Sequence, residues 1–197
     1  VESFLKFSPK AEIILNIDND HLDYFKTFDN IKNAFIKYVK LLPDDGILVI
    51  NGDDKNCLDL KQYTNAKVTS YGIDNKNADF YADNIVFDND GFASFDVYHQ
   101  GNLFGHFSLS VPGKHNVLNA LACICLCANY SVDVPHIQAA LKKFTGAHRR
   151  FEFKGRINND ISVYDDYGHH PTEIVATANS LKNKKYNESW VVFQPHT

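Results

Sequence analysis

Residues 11–17 have the sequence AEIILNI, a short and nearly continuous apolar run. Such a run is typical of a strand that is covered on both faces, as in a parallel sheet. A second run, ILVI at residues 47–50, follows a segment in which apolar residues recur at helical spacing between residues 31 and 42. Asp29 is the predicted N-cap of this helix. The order strand, helix, strand predicts an α/β fold.

The pattern changes after a third buried strand, which is predicted at residues 67–71. Three further strands are predicted at residues 80–87, 92–99 and 103–111, with turns at residues 89–91 and 101–102. Short turns of this kind join neighbouring antiparallel strands. The middle of the chain should therefore form an antiparallel meander.

Two helices are predicted after the meander, at residues 116–130 and 135–144. The first is apolar nearly all round, and we expect it to be buried. The remaining predicted elements are strands at residues 151–153 and 161–165, a helix at 171–182 and a strand at 190–194. The last three predict a βαβ unit that begins a Rossmann-like domain. We place a domain boundary near Ala147, between residues 1–146 and residues 147–197.

Composition excludes several classes of partner. The net charge of -4 gives no electrostatic reason to expect binding to nucleic acid or to an anionic membrane. The longest apolar run, residues 120–128, is far shorter than the roughly 20 residues that span a bilayer. We therefore expect no membrane insertion and a cytoplasmic location. Cys123, Cys125 and Cys127 would point in different directions on a helix, so buried free thiols are expected rather than a metal site.

The segment after the first strand, residues 16–25 (NIDNDHLDYF), is rich in acidic residues and contains His21. A solvated acidic turn is one interpretation of this pattern. Imidazole and carboxylate groups are also donors for a divalent ion that bridges phosphates. His21 is therefore a candidate metal ligand.

Residues 165–173 (DDYGHHPTE) follow another strand and open a helix, with Pro171 near its first position. Ligands gather at such places in α/β folds, because loops and helix N-termini converge beyond the carboxyl ends of the strands. So many polar side chains are not expected in a core, and we interpret the segment as functional. His196 follows the last predicted strand, so both histidine sites should face one crevice.

Asn116 and Asn119 lie on one face of the predicted helix, because they are three positions apart. Paired amide side chains offer the donor and acceptor that an adenine edge requires. Helix capping by Asn116 is the alternative interpretation. Arg149 and Arg150 lie at the expected hinge and could clamp phosphate oxygens. Adjacent side chains rarely face one ligand, so we expect one of them to make an interdomain salt bridge instead.

Taken together, these segments resemble the Mur ligase family in order and spacing. The matching segments are NIDNDHLDYF, LPDDGILVINGDD, VPGKHNVLNALA, FTGAHRRFE, YDDYGHHPTE and FQPHT. The resemblance covers essentially the whole chain and implies part of a central ATPase domain followed by the start of a C-terminal amino-acid-binding domain. It implies that the phosphate-binding loop and an N-terminal sugar-nucleotide domain are missing segments upstream, and that this piece alone is inactive.

The resemblance implies an ATP-dependent ligase that phosphorylates a carboxylate and then forms an amide with an amino acid, with Mg²⁺ at the phosphates. Within the family, DYGHHP with FQPH is similar to members that join L-alanine to UDP-N-acetylmuramate for peptidoglycan synthesis. A murein-peptide ligase or a folylpolyglutamate-type synthetase is the alternative enzyme. A non-catalytic binding module on the same fold is the alternative outside enzymes.

The resemblance also implies roles for individual residues. His21 would bind magnesium, His115, Asn116 and Asn119 would bind adenine, and Asp166 would bind ribose. One of Arg149 and Arg150 would contact phosphate or substrate, with Arg149 assigned to the nucleotide and Arg150, like His169, to catalysis. Tyr167, His169, His170 and His196 would surround the amino acid. Two positions depart from the family pattern: Glu2 is not expected to be the usual magnesium carboxylate, and Thr197 stands where relatives can have arginine.

Overall fold

The computed structural model describes residues 2–158, 160–182 and 184–194. A sheet of six strands in the order β1 to β6 forms its centre, and β7 and β8 form a separate two-stranded sheet. The strands are β1 (Ala11–Ile14), β2 (Ile47–Asn51), β3 (Lys67–Gly72), β4 (Phe80–Phe87), β5 (Phe92–His99), β6 (Asn102–Pro112), β7 (Glu152–Ile157) and β8 (Ile161–Asp165). The helices are α1 (Leu22–Phe25), α2 (Phe28–Val39), α3 (Lys55–Leu58), α4 (Lys114–Asn129), α5 (Val134–Lys143) and α6 (Pro171–Lys182), with 3₁₀ turns at Ser3–Lys6 and Asp59–Tyr63.

The first three strands are parallel and are covered on both faces. Because side chains alternate along a strand, Leu48 and Ile50 of β2 pack with α2 on one face, whereas Val49 packs with α4 on the other. All three side chains are fully buried. The prediction of a parallel sheet from the apolar runs is confirmed.

Strand β4 joins the parallel half through Tyr71 and Phe80 and then continues antiparallel to β5, which in turn pairs with β6. The predicted meander is therefore confirmed. Helix α4 packs on its inner face, where Leu121 and Ile124 join Phe95 and Phe107 in one core. The burial predicted for this helix is confirmed as well. No helix within the described ranges combines the length and the apolar character that crossing a bilayer requires.

Two helix starts differ from the prediction. Thr27, and not Asp29, caps α2, because Thr27 has extended backbone and its hydroxyl accepts from the Asn30 N–H at 3.3 Å. Asp29 lies inside the first turn. Helix α4 begins at Lys114, so Asn116 lies within the helix and does not cap it.

The four cysteines are free thiols, as predicted, but only part of the burial prediction is right. Cys125 is buried among the core residues, Cys127 is half-buried and Cys123 is exposed. Successive positions on a helix are rotated by about 100°, so the three thiols of α4 meet different surroundings.

The elements of the predicted C-terminal domain, residues 147–197, agree with the prediction only in part. Strands β7 and β8 are antiparallel partners, and α6 has the predicted bounds. Residues 190–194 form no strand, so the predicted βαβ unit is wrong in its last element. A strand forms when a neighbouring strand satisfies its backbone groups, yet Trp190 and Val192 are 84% and 96% exposed here. His196 and Thr197 lie outside the described residues.

A buried carboxyl group interrupts the apolar run of β1. Glu12 is 2% exposed, and neither of its carboxyl oxygens has a hydrogen-bond partner among the described residues. Burial raises the pKa of Glu12 to about 7. The pKa of nearby Tyr38 on α2 is also raised, by its own burial and then by the Glu12 charge. Glu12 is therefore a built-in source of pH-dependent stability.

The folded chain should lose stability as the pH rises from about 4.5 to about 7, because it holds the Glu12 proton more tightly than the unfolded chain does. Glu12→Gln should remove this slope, a difference of about 2 kcal/mol between pH 5 and pH 8. Urea denaturation across this range measures it, with exposed Glu188→Gln as the control. Parallel pH profiles for wild type and Glu12→Gln would contradict the assignment.

Candidate functional site

The loop after β1 is held in place by the end of β2. The Asn51 side-chain amide donates to the Leu15 carbonyl at 3.0 Å, and the Ile17 N–H donates to the Asp54 carboxylate at 3.0 Å. Asp54 also caps α3, where it accepts from the N–H groups of Asn56 and Cys57. No role was assigned from the sequence to residues 51–54, although they end the segment LPDDGILVINGDD. An asparagine and an aspartate directly after a buried strand were the available signal for this positioning role.

His21 stands at the start of the short helix α1, with a left-handed backbone (φ 52°). Its Nε2 lies 3.7 Å from a carboxylate oxygen of Asp20, and the ring is largely exposed. Within the described ranges, no three side chains of His, Cys, Asp or Glu are grouped closely enough to hold a metal ion by themselves. A metal ion bound at His21 would have to take most of its ligands from phosphates and water, which is how Mg²⁺ is commonly bound.

Asp166 organises the segment after β8. Its carboxylate accepts from the Phe151 N–H and from the Gly168 N–H, each at 2.7 Å. The Tyr167 N–H donates to the Arg149 carbonyl at 2.8 Å. Each carboxylate oxygen can accept a second hydrogen bond, so Asp166 can hold this loop and still meet a ligand hydroxyl.

The two arginines form separate ion pairs. Arg149 Nε lies 3.8 Å from Asp165, and its guanidinium lies over the Tyr167 ring at 4.7 Å. Arg150 donates to Glu173 at 3.0 Å. Asp165 and Glu173 belong, like the arginines, to the predicted C-terminal domain of residues 147–197. These contacts are therefore not the interdomain salt bridge that was expected. The two side chains point to different partners, as was expected of adjacent residues.

Glu173 connects Arg150 to the histidine pair, a role that sequence reasoning missed. Its carboxylate accepts from the His169 N–H at 3.3 Å and from the His170 N–H at 3.5 Å, at the start of α6. Burial alone would raise the pKa of Glu173, but hydrogen bonds from Arg150 and from these two N–H groups lower it below its ordinary value. A glutamate in the first helical turn was the available signal.

The two polar segments, which are about 150 residues apart in sequence, meet in the structure. The Thr172 hydroxyl donates to the Asp18 carboxylate at 2.8 Å, and His170 Nε2 contacts the Asn19 carbonyl at 2.8 Å. The hydrogen bond from Thr172 is the main cause that lowers the pKa of Asp18. The His21 loop and the segment with Tyr167 and the histidine pair therefore lie next to each other.

The start of α4 presents a third group of polar side chains. The Asn119 amide donates to the Asn116 side-chain oxygen at 3.3 Å, and Asn116 donates to the Pro112 carbonyl at 2.8 Å. The predicted shared face of the two asparagines is therefore confirmed. Burial lowers the pKa of His115, while the nearby Asp166 charge partly opposes this shift. His115 and Asp166, the predicted adenine and ribose residues, are thus close enough to interact electrostatically.

Helix α6 approaches the start of α4 closely, beside this third group of polar side chains. Gly113 has φ +99°, and a side-chain carbon there would collide with the Ser180 hydroxyl of α6 and with the His115 ring. Ser180 is buried and donates to the Ala176 carbonyl within α6. Glycine at position 113 therefore lets α6 lie against the start of α4.

Comparisons with known proteins match this arrangement. Residues 2–127 match the Mur ligase middle domain, and residues 149–197 match the Mur ligase glutamate ligase domain. The chain is 49% identical over 195 residues to the UDP-N-acetylmuramate--L-alanine ligase of Clostridium acetobutylicum, and 45% identical over 197 residues to that of Acetivibrio thermocellus. The two matches include 99% and 100% of this chain, respectively. The chain spans 42% of the length of each relative.

Solved structures give the same picture. UDP-N-acetylmuramate-alanine ligase MurC from Thermotoga maritima has a TM-score of 0.77 at 30% identity, over 92% of this chain and 40% of that chain. A murein peptide ligase from Psychrobacter arcticus has a TM-score of 0.66 at 30% identity, over 91% of this chain and 36% of that chain. MurF from Acinetobacter baumannii shares the fold, with a TM-score of 0.80 at 23% identity, over 92% of this chain and 39% of that chain.

Proposed function

This chain belongs to the Mur ligase family, and from that premise we propose that the full-length protein joins L-alanine to the carboxylate of UDP-N-acetylmuramate at the expense of ATP. The observation that carries the proposal is the meeting of the His21 loop with residues 165–173. Amide formation that is driven by ATP requires the phosphates of ATP and the amino acid to bind next to each other. The choice of L-alanine rests on the names of relatives that match along the whole chain.

The proposed reaction has two steps. A carboxylate oxygen of the sugar nucleotide attacks the γ-phosphorus of ATP, which forms an acyl phosphate and releases ADP. The amine of L-alanine then attacks the acyl carbon, phosphate leaves, and the nitrogen loses a proton. Mg²⁺, when bound, neutralises charge on the phosphates. His21 is the proposed protein ligand for this ion, because it is exposed beside a carboxylate at the edge of the site.

The proposed nucleotide contacts lie at the start of α4 and beside it. Asn119 and Asn116 present an amide pair on one helix face, which suits an adenine edge. His115 lies beside them, and the electrostatic influence of Asp166 on His115 supports adjacent adenine and ribose positions. Arg149 is the proposed phosphate contact, since its guanidinium is half exposed above Tyr167.

The proposed amino-acid contacts lie between β8 and α6. Tyr167 and His169 are in edge contact, with ring centroids 5.3 Å apart, and His169 Nδ1 lies 3.2 Å from the Tyr167 carbonyl. These contacts orient His169 to hold the amine of the amino acid. Arg150, held by Glu173, is the proposed cation at the transferring phosphate. His196 remains a proposed contact beyond the described residues.

We place the reaction in the cytoplasm, where ATP is available and where free cysteines stay reduced. The acyl-phosphate step gives a direct test. UDP-N-acetylmuramate with ¹⁸O in its carboxylate, incubated with the full-length protein, ATP and L-alanine, should yield inorganic phosphate with one ¹⁸O atom, detected by mass spectrometry. Phosphate that forms during ligation without ¹⁸O would overturn the proposed mechanism.

A further inference from the structure

We propose that His170 and Thr172 are positioning residues that hold the loop of residues 18–21 against the start of α6 and so fix the position of His21. The proposal rests on the proposed function, because it takes His21 to be the metal ligand. It gives His170 a different role from the substrate contact that the family resemblance implied.

Both ring nitrogens of His170 face protein groups. The Asn19 carbonyl can only accept a hydrogen bond, so His170 Nε2, 2.8 Å away, must donate. His170 Nδ1 then accepts from the Thr172 N–H at 3.4 Å. A neutral imidazole has one donor and one acceptor, and both are used within the protein. His170 therefore has no further ring nitrogen to offer to an amino-acid substrate.

Thr172 makes the second contact. Its hydroxyl donates to the Asp18 carboxylate at 2.8 Å, next to the His170 contact with Asn19. Two adjacent residues of the loop are thus held by His170, directly before α6, and by Thr172 in its first turn. Hydrogen bonds that involve a charged group are stronger than those between neutral groups, so the Thr172 contact should contribute most.

The loop transmits this restraint to His21. The Asp20 N–H donates to the Asp18 carbonyl at 3.0 Å, and the His21 N–H donates to the Asp20 carboxylate at 2.7 Å. His21 itself has a left-handed backbone, which a residue other than glycine keeps only when its surroundings enforce it. Loss of the α6 contacts should therefore let the imidazole leave its position.

The far end of α6 is also anchored. Lys184, just beyond the helix, donates to the Asp90 carbonyl at 2.9 Å in the turn between β4 and β5. The Lys185 N–H donates to the Asn89 carbonyl of the same turn at 3.2 Å. These contacts attach the C-terminal end of α6 to the turn between β4 and β5. The start of α6 can therefore hold the loop of residues 18–21 firmly.

A double-mutant cycle on the 197-residue chain tests the contact. Thr172→Val keeps the shape of the side chain and removes its hydroxyl. It should lower the folding equilibrium constant about fivefold in wild type, and less than twofold in the Asp18→Ala background. Thr177→Val on the same helix is the matched control, because the Thr177 side chain makes no hydrogen bond in the described part of the chain. Additive effects of Asp18→Ala and Thr172→Val would overturn the proposal.

Metal binding tests the positioning role in the full-length protein. Mn²⁺ titrations followed by electron paramagnetic resonance, with a non-hydrolysable ATP analogue, should show about tenfold weaker Mn²⁺ binding for Thr172→Val and for His170→Ala. His170→Gln should retain near wild-type affinity, because its amide can still donate to the Asn19 carbonyl. Unchanged Mn²⁺ affinity in Thr172→Val and His170→Ala would overturn the positioning role.

A substrate role for His170 gives a different result. In that case His170→Ala would raise the KM for L-alanine and leave Mn²⁺ affinity unchanged, which contradicts the proposal. The proposed function can fail separately: if wild type binds Mn²⁺ with the ATP analogue and Thr172→Val weakens that binding, but no amino acid supports ligation, the positioning role stands while the ligase proposal falls.

Discussion

His169→Ala in the full-length protein is expected to lower kcat/KM for L-alanine by about 100-fold, the lower end of what a catalytic proton-transfer group contributes. The structure gives the physical reason. His169 is oriented by the Tyr167 carbonyl, 3.2 Å from Nδ1, and by edge contact with the Tyr167 ring. A side chain held in this way can orient the amine that attacks the acyl phosphate. Steady-state kinetics with L-alanine as the varied substrate measures the effect.

The same enzyme provides the control for His169. The KM for ATP should stay within about twofold of wild type, because the proposed adenine contacts lie at the start of α4 and not beside His169. Equal losses for all three substrates would point to a folding defect, which thermal unfolding of the variant detects. Unaltered kcat and KM for L-alanine would remove His169 from the site.

His21→Ala is expected to raise the Mg²⁺ concentration for half-maximal rate by about 100-fold. Mutation of a residue that only hydrogen-bonds to a metal ligand already weakens metal affinity by about 10- to 100-fold. His136→Ala is a closely matched control. His136 is also exposed and lies 3.8 Å from Asp133, whereas His21 lies 3.7 Å from Asp20. Only His21 stands beside the proposed phosphate position. An unchanged Mg²⁺ titration in His21→Ala would contradict the ligand role.

Elements with a local cause were predictable from the sequence. Strand β2 follows from the apolar run of residues 47–50, and helix α4 from apolar residues around nearly its whole circumference. The cap of α2 was predicted two residues late, because Thr27 and Asp29 are both good caps and only backbone conformation distinguishes them. Residues 190–194 have the composition of a strand but no strand structure, since pairing depends on a neighbour rather than on the segment itself.

Long-range contacts limited how much of the candidate site could be predicted from the sequence. Asn116 and Asn119 could be placed together, because helical spacing alone brings them onto one face. The contact of Thr172 with Asp18 spans 154 residues, and no local pattern predicts it. The same is true of the Arg150 contact with Glu173. Residue types and spacing predicted the candidate groups, whereas the hydrogen bonds between them came only from the fold.

The most direct test of the ligase proposal is phosphate release by the full-length protein with ATP, Mg²⁺ and UDP-N-acetylmuramate, measured against a panel of amino acids and a murein tripeptide. Phosphate release should require the sugar nucleotide and should be fastest with L-alanine. Release with the tripeptide but not with L-alanine would contradict the proposed L-alanine ligase activity and identify a murein-peptide ligase.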